Sequence, residues 1–277
     1  MTVPAQVSSP YYKTYGGHPA QSELLTDRAI VTEAYTEIPK GVLRDIVTSQ
    51  FPDFTKTRAW VLNRPVAGGP TTFSQVIVEI EPGGGATKPE PQADISSFLF
   101  VVGGQLTLTL EGEEHVLTEG GFAYIPPNAN WSLDNNGETI TTFHWFRKRY
   151  EALDYVPLPK AKIGNEQDIV PGSMPGTDNK WRTTRMLDPE DMSYDFGVNI
   201  VTFEPGASIP FMETHIMEHG LYVLEGKGVY RLNGDWVEVE AGDYMALRAF
   251  CPQACYAGGP SNFRYLLYKD QNRQITL

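Results

Sequence analysis

Two histidines and a glutamate lie close together in the second half of the 277-residue chain, in the pattern Glu213-x-His215-x3-His219-x6-Gly226. Residues two and four positions apart in a β-strand project from the same face, so these three side chains can converge on one metal ion. Gln253 follows after a glycine-bounded stretch and adds an amide oxygen. The alternative interpretation is that Glu213 and His215 are solvated strand residues and that His219 is a core histidine.

The types of donor atom restrict the choice of metal. No thiolate is present, which disfavours copper(I) and structural zinc, whereas carboxylate, imidazole and amide donors suit Mn²⁺, Fe²⁺, Ni²⁺ or Co²⁺. The amide oxygen of Gln253 is a hard donor, which favours Mn²⁺. A divalent ion beside a single carboxylate leaves the site positive, so we expect a substrate whose own carboxylate chelates the metal.

Composition excludes several kinds of partner. The chain has 34 acidic and 22 basic residues, a formal charge of −12 that repels nucleic acid and anionic membrane surfaces. The first residues lack the features of a signal peptide, and no apolar run is long enough to span a bilayer. We therefore predict a cytoplasmic protein without nucleic-acid or membrane partners. Cys251 and Cys255 are too few for a disulfide framework and are predicted to be buried free thiols.

Strand patterns dominate the chain and occur in two similar sets. Apolar and polar residues alternate between Gly, Pro or Asn turns at residues 71–84, 96–110, 115–127 and 139–146, and again at 196–207, 220–232, 235–247 and 262–270. Glycines recur every eight residues in both sets, at 104, 112 and 120 and at 226, 234 and 242. The spacing predicts two copies of one antiparallel unit. Helical patterning is scarce, and the best helix candidate is LTDRAIVTEAY near residues 25–35.

A boundary between the two copies is predicted near residue 160. Residues 155–181 are rich in Pro, Gly and polar side chains and lack periodicity, as is typical of a connection between domains. We therefore expect an N-terminal domain at 1–160 and a C-terminal domain at 161–277. Aligning the copies by their glycines places Pro91, Ala93, Ser97 and Trp131 at the positions of the four donors. None is a useful ligand, so the N-terminal domain is expected to be metal-free and to serve packing and assembly, with one metal per chain.

Short strands, glycine turns and a His/Glu cluster at the start of a hairpin resemble the cupin superfamily, whose small jelly-roll barrels hold a metal on two motifs. The resemblance implies an all-β bicupin, with two tandem jelly-roll barrels. Compared with the usual cupin motifs, Glu213 replaces the first His, His219 replaces the usual Glu, and Gln253 stands at the usual His of the second motif.

The segments METHIMEHGLYVLEGKGVY, GDYMAL and FRYLLYKDQNR closely resemble the (S)-ureidoglycine aminohydrolases, which are bicupins of purine (allantoin) degradation. The likeness extends through DRAIV, GGFAYIPP and Lys148–Tyr150, and so covers most of the chain. It implies an Mn²⁺-dependent enzyme that releases ammonia from (S)-ureidoglycine to give (S)-ureidoglycolate. It also implies metal binding by Glu213, His215, His219 and Gln253, and substrate binding by Glu213, Gln253, Tyr265, Lys269 and Tyr230.

Strand parity gives these substrate residues an independent test. Tyr265, Leu267 and Lys269 share one face of a strand, so Lys269 is predicted to point into the barrel, where it needs an anionic partner or a lowered pKa. The alternative is that Lys269 extends into water at the strand end. On pattern alone Tyr230 is equally well a core tyrosine. Glu213 and Lys269 are the two candidates for acid/base catalysis, and the sequence does not divide those roles between them.

Other functions remain open at this stage. Cupins with Fe²⁺ or Mn²⁺ also carry out oxygen-dependent and decarboxylation chemistry on small carboxylates, and some bicupins bind ligands without catalysis. The expected partner is a small molecule with carboxylate and ureido groups. Jelly-roll edges and the family resemblance favour a homo-oligomer. The remaining histidines lie outside any motif and are expected to be structural or exposed, namely His18, His115 and His144.

Overall fold

The computed structural model describes residues 10–11, 29–40, 51–65, 71–271 and 273. Within those ranges twenty β-strands form three sheets, and the one helical turn is a 3₁₀ turn at Glu166–Asp168. No helix in the described part is long and apolar enough to cross a membrane. Strands of the first half are β1 (Ile30–Val31), β2 (Tyr35–Ile38), β3 (Phe54–Asn63), β4 (Phe73–Ala86), β5 (Ile95–Gly103), β6 (Leu106–Leu110), β7 (Glu113–Leu117), β8 (Gly121–Ile125), β9 (Trp131–Asp134) and β10 (Thr141–Arg149).

The second half repeats this organisation after a connecting segment. Its strands are β11 (Lys162–Asn165), β12 (Gly172–Ser173), β13 (Trp181–Arg185), β14 (Phe196–Phe203), β15 (His219–Glu225), β16 (Lys227–Leu232), β17 (Asp235–Glu240), β18 (Tyr244–Leu247), β19 (Gln253–Gly258) and β20 (Phe263–Asp270). The all-β prediction is confirmed. The helix near residues 25–35 is wrong where it can be checked, because Ile30–Val31 and Tyr35–Ile38 are strands; residues 25–28 lie outside the described residues.

The long central strands are buried on both faces, which explains their nearly continuous apolar sequences. In β4, Val76, Val78 and Ile80 point into the interior of the first barrel, whereas Phe73 and Ile77 point the other way. The strands of the second half divide in the same manner between the interior of the second barrel and a shared aromatic core. Period-two alternation thus supplies three hydrophobic cores.

The shared core joins the two barrels. Phe73 of β4 stacks on Tyr268 of β20, with ring centroids 3.8 Å apart and an interplanar angle of 18°. Gly220 lies at the contact between the barrels: a Cβ at this position would stand 2.7 Å from Gln75 Oε1 and 2.8 Å from Phe73 Cζ. A side chain at Gly220 would therefore displace these two side chains of the first barrel.

Each half also completes a sheet of the other. β2, near the N-terminus, pairs with β18 of the second barrel, with Tyr35 opposite Leu247. In the reverse direction β11, which follows residue 160, pairs with β8 of the first barrel. Strand pairing therefore crosses the boundary expected between residues 160 and 161 in both directions. The division into domains at 1–160 and 161–277 stays a prediction.

Candidate active site

Glu213 and Gln253 are paired side by side in the wall of the second barrel. They form an antiparallel bridge, in which each backbone N–H donates to the carbonyl of the other residue at 2.9 Å. Glu213 belongs to the segment between β14 and β15, and Gln253 begins β19. The backbone therefore brings together two candidate donors that are 40 positions apart in sequence.

The two histidines approach Glu213 from the start of the next strand. His215 Nε2 lies 3.4 Å from Glu213 Oε2, and the rings of His215 and His219 have centroids 5.3 Å apart. His219 begins β15 and stands opposite Lys269 of β20. The backbone N–H of Phe250 donates to the carbonyl of His215 at 2.6 Å, which ties this segment to the loop before Gln253.

All four candidate donors line one cavity of about 150 Å³ inside the second barrel. Lys269 and Tyr265 line the same cavity, so six of the seven predicted site residues meet there. The complete lining consists of Met174, Trp181, Thr183, Arg185, Asn199, Val201, Glu213, His215, His219, Leu221, Gln253, Tyr265, Leu267 and Lys269. Tyr230 is fully buried behind this wall, with its ring 6.1 Å from that of Tyr265 and its hydroxyl facing Tyr265 and Cys255.

Burial controls the charges of the cavity. The pKa of Lys269 is lowered by removal of its ammonium from water and by the neighbouring Arg185, while Glu213 opposes this shift. The pKa of His219 is lowered to about 3, chiefly by burial and further by His215 and Lys269. A neutral imidazole is the form that binds a metal. Lys269 therefore points into the cavity rather than into bulk water, and its ammonium is destabilised there.

The donor types in the cavity fit a hard divalent ion, with one carboxylate, two imidazoles and one amide oxygen. A ring N–H of His219 donates a hydrogen bond to the backbone carbonyl of Met217, the kind of contact that orients a ligating histidine. Within the described residues, no three His, Cys, Asp or Glu side chains are drawn around one point as a bound ion requires. The side chains of Glu213 and His215 are 19% and 32% exposed, and they have room to rotate toward a shared ion.

Three polar residues of the cavity were not found by sequence reasoning, namely Thr183, Arg185 and Asn199. Arg185 of β13 and Asn199 of β14 line the wall beside Lys269 and are directly opposite each other in the sheet. They lie far from the Glu-His-His pattern in sequence, so no local motif marks them. Trp181, Thr183 and Arg185 alternate along one face of β13, and this pattern would have predicted Arg185 as a cavity residue if the pairing of β13 with β14 had been known.

The equivalent positions of the first barrel are occupied differently. Ser97 accepts a hydrogen bond from Trp145 Nε1 at 3.0 Å, and the ring of Trp131 packs edge-on against Trp145 at 6.0 Å. Pro91 and Ala93 are exposed. The side chains at these four positions offer no strong metal donor, and two tryptophans fill the interior.

The cysteines and the remaining histidines considered in the sequence analysis are not among the residues that line the cavity. Cys251 and Cys255 are buried free thiols, as predicted, and burial raises the pKa of Cys255 to about 12. His144 is fully buried between the barrels, 4.4 Å from the ring of Tyr222, whereas His115 is half-buried on β7. His18 lies outside the described residues.

Comparison with known proteins agrees with this architecture. The family model of the cupin domain matches residues 76–147 and 199–268, one match in each barrel. The chain is 31% identical to the (S)-ureidoglycine aminohydrolase of Escherichia coli (strain K12), over 93% of this chain and 96% of that protein. It is 35% identical to the (S)-ureidoglycine aminohydrolase of Arabidopsis thaliana, over 82% of this chain and 73% of that protein. The chain belongs to the (S)-ureidoglycine aminohydrolase family of cupins.

A solved structure shows the same bicupin fold. A glyoxylate-induced protein from Pseudomonas aeruginosa is 60% identical and superposes with a TM-score of 0.91, covering 98% of this chain and 99% of that one. The predicted fold of two tandem cupin barrels is confirmed. Among the residues that the structure describes, the four candidate donors all lie in the second barrel.

Proposed function

We propose that this protein hydrolyses (S)-ureidoglycine to (S)-ureidoglycolate and ammonia. The observation that carries the proposal is the cavity of the second barrel, where Glu213, His215, His219 and Gln253 meet Lys269 and Tyr265. The support from relatives is 31% and 35% identity to proteins of that name over most of this chain. A small polar cavity of about 150 Å³ suits a substrate of this size.

We further propose that Glu213, His215, His219 and Gln253 hold Mn²⁺, which the hard oxygen donors favour over softer ions. When bound, the ion supplies Lewis acidity and a fixed chelation geometry for the substrate carboxylate and the neighbouring amino nitrogen. A single bound orientation accounts for selection of one stereoisomer. Tyr265, on the wall of the cavity, adds a contact that restricts rotation of the substrate.

Hydrolysis requires two proton movements at one carbon atom. The C–N bond to the amino group breaks and that nitrogen leaves as ammonia with an added proton, while water forms the new C–O bond and loses a proton. With the two histidines assigned to the metal, the groups left for these transfers are Lys269 and Glu213, the latter when it is bound only loosely to the ion. The lowered pKa of Lys269 suits its ammonium to donate the proton to the leaving nitrogen, and the carboxylate of Glu213 suits acceptance of the proton from water.

The decisive measurement is ammonia release by purified protein loaded with Mn²⁺ and supplied with freshly prepared (S)-ureidoglycine. We expect release well above the spontaneous rate, loss after treatment with a chelator, and little turnover of the (R) isomer. Release no faster than in buffer would refute the function. Oxygen consumption with a small carboxylate substrate would instead indicate a cupin oxygenase.

Two further expectations from the sequence belong to this proposal. A homo-oligomer is expected, and light scattering of the eluted protein measures its mass directly. A cytoplasmic location agrees with a metabolic role, and fractionation of cells tests it. Neither affects the assignment of residues within the cavity.

A further inference from the structure

Arg185 and Asn199 occupy adjacent positions on the inner face of the second barrel. Arg185 of β13 is opposite Asn199 of β14, and Asn199 is opposite Leu267 of β20. Directly opposed residues of antiparallel strands project from the same side of a sheet. Leu267 faces the cavity, and so do Arg185 and Asn199. The three residues form one row along the wall of the cavity, with the buried Asn199 in the middle and the exposed Arg185 at one end.

The row of Arg185, Asn199 and Leu267 is adjacent to the row that contains the candidate metal donor His219. The neighbouring row contains His219 and Lys269, which are two residues along their strands from Leu221 and Leu267. Two residues of a strand span about 7 Å. A small molecule that is chelated near His219 can therefore reach the row of Arg185 with its other end.

The polar groups of the row have no protein partner to satisfy them. Arg182 lies three positions before Arg185 on the same strand and therefore on the opposite face, and it pairs with Glu204 at 3.3 Å. Arg185 forms no ion pair or hydrogen bond within the described residues. The amide of Asn199 likewise has no hydrogen bond there, although the residue is only 5% exposed. The exposed guanidinium of Arg185 and the buried amide of Asn199 share a cavity wall without protein partners, so both are available to a ligand.

We propose that Arg185 and Asn199 bind the ureido group of the substrate and make the enzyme selective for it; this inference rests on the proposed function. A ureido group is planar, with one carbonyl acceptor and several N–H donors. The guanidinium of Arg185 donates to the carbonyl oxygen, and the Asn199 amide oxygen accepts from the terminal nitrogen. The carboxylate and amino nitrogen at the other end remain free for the metal.

Affinities of two small ligands for the Mn²⁺-loaded protein test this assignment. (S)-Ureidoglycolate has the carboxylate, the hydroxyl and the ureido group, whereas glycolate has only the first two. We expect the wild-type protein to bind (S)-ureidoglycolate at least about 10-fold more tightly than glycolate, because a site built to bind the ureido group leaves polar groups unpaired without it. Calorimetric titration measures both affinities.

Replacement of the guanidinium should remove this preference selectively. Arg185→Met should weaken binding of (S)-ureidoglycolate by about 10- to 100-fold, as for loss of one charged hydrogen bond, and should leave the affinity for glycolate and the metal content unchanged. Asn199→Ala should weaken only (S)-ureidoglycolate as well, by a smaller factor. Arg182→Met is the matched control, since it removes an equal charge from the same strand on the opposite face, and it should change neither affinity.

Three outcomes contradict the inference. Arg185→Met could bind both ligands as the wild type does, it could weaken both by the same factor, or Arg182→Met could reproduce its effect. The last two would show that the charge, and not a contact with the ureido group, is responsible. Ammonia release by the wild type is measured in parallel. The wild type could release ammonia and prefer (S)-ureidoglycolate while Arg185→Met keeps the same preference; in that case only this inference fails. If the wild type neither releases ammonia nor prefers (S)-ureidoglycolate, the proposed function fails.

Discussion

The two barrels place different chemistry on matching positions. Lys269 is opposite His219 in the second barrel, and Arg147 is opposite Ser97 in the first. Both residues of the second pair lie 122 positions before their counterparts in the first pair, since 269 minus 147 and 219 minus 97 are both 122. Arg147 Nε donates to Glu90 Oε2 at 2.6 Å, and its guanidinium lies over the ring of Trp145 at 4.7 Å.

Lys269 has no such partner in contact within the described residues, and Leu267 replaces Trp145 beside it. In the first barrel the cation is neutralised and the interior is filled by tryptophan, which stabilises the fold. In the second barrel the cation is left available and the interior is left open. The comparison indicates that the second barrel, unlike the first, leaves an inner cation available to a ligand.

The largest expected effect concerns the metal. His215→Ala combined with His219→Ala removes both imidazoles, so we expect metal affinity to fall by more than about 100-fold and ammonia release to fall to the spontaneous rate. Ser97→Ala, at the position of the first barrel that matches His219, is the control and should retain one metal per chain. Metal analysis after dialysis measures both. Two metals per wild-type chain, or full retention in the double variant, would contradict the assignment of one site to the second barrel.

The next effect concerns the contact between the barrels. Lys148 of β10 is buried and pairs with the fully buried Asp195 at 3.0 Å, next to the start of β14. Lys148→Met leaves the carboxylate of Asp195 without its ammonium, so the free energy of unfolding should fall by about 3–5 kcal/mol. Urea unfolding measures the loss. Adding Asp195→Asn should recover part of it, and an unchanged midpoint in the single variant would show that the halves are stabilised independently.

The matched cations provide a direct test of the comparison. Lys269→Met should lower kcat/KM by about 100-fold, or about 2.7 kcal/mol of transition-state stabilisation, with metal content and folding retained. Arg147→Met should do the reverse: it leaves the buried Glu90 unpaired and should lower the free energy of unfolding by about 2 kcal/mol, with kcat/KM nearly unchanged. Near-normal turnover of Lys269→Met at full metal occupancy would leave Glu213 as the remaining acid/base candidate.

The smallest effect comes from His144, whose position in the second barrel is taken by Leu266. Burial lowers the pKa of His144 to about 3, against 6.5 in the unfolded chain. The unfolded chain therefore binds the extra proton between these values, and stability falls as the pH is lowered through that range. This side chain alone should reduce the free energy of unfolding by about 2 kcal/mol between pH 7 and pH 5.

His144→Leu copies the residue of the other barrel and should remove that component of the pH dependence. Urea unfolding of metal-free protein at pH 7 and pH 5 measures the difference for each variant. His115→Leu changes a half-buried histidine of β7 and serves as the control. If His144→Leu loses as much stability as the wild type between the two pH values, burial of a neutral imidazole is not the cause.

Local patterns were sufficient to predict the strands and most of the candidate site. Period-two alternation and glycine turns are properties of neighbouring residues, and the donors from Glu213 to His219 lie within seven positions. The helix near residues 25–35 failed because β2 gains its structure by pairing with β18, a contact that outweighs local helix propensity. Arg185 and Asn199 were missed for a similar reason, since only the register of β13 on β14 places them in the cavity.

Tyr230 shows a different limit of sequence reasoning. Alternation correctly directs its side chain inward, but depth within the barrel depends on the residues stacked in front of it. Tyr265 lines the cavity and Tyr230 lies behind it, so the two tyrosines share an interior and differ in access to a ligand. Its part in substrate binding stays a prediction.

The exchange of edge strands has a consequence for how the chain folds during synthesis. β11 can complete the first sheet soon after it leaves the ribosome, because its partner β8 lies only about 40 residues earlier. β2 is made early but must wait for β18, and the side chains that join these regions are 200 residues apart, as in the bond from Tyr35 to Asp235. Such high contact order slows folding. Until β18 has been synthesised, the β2 segment therefore stays unpaired, and a chain that lacks β2 would expose the edge of β18 to aggregation.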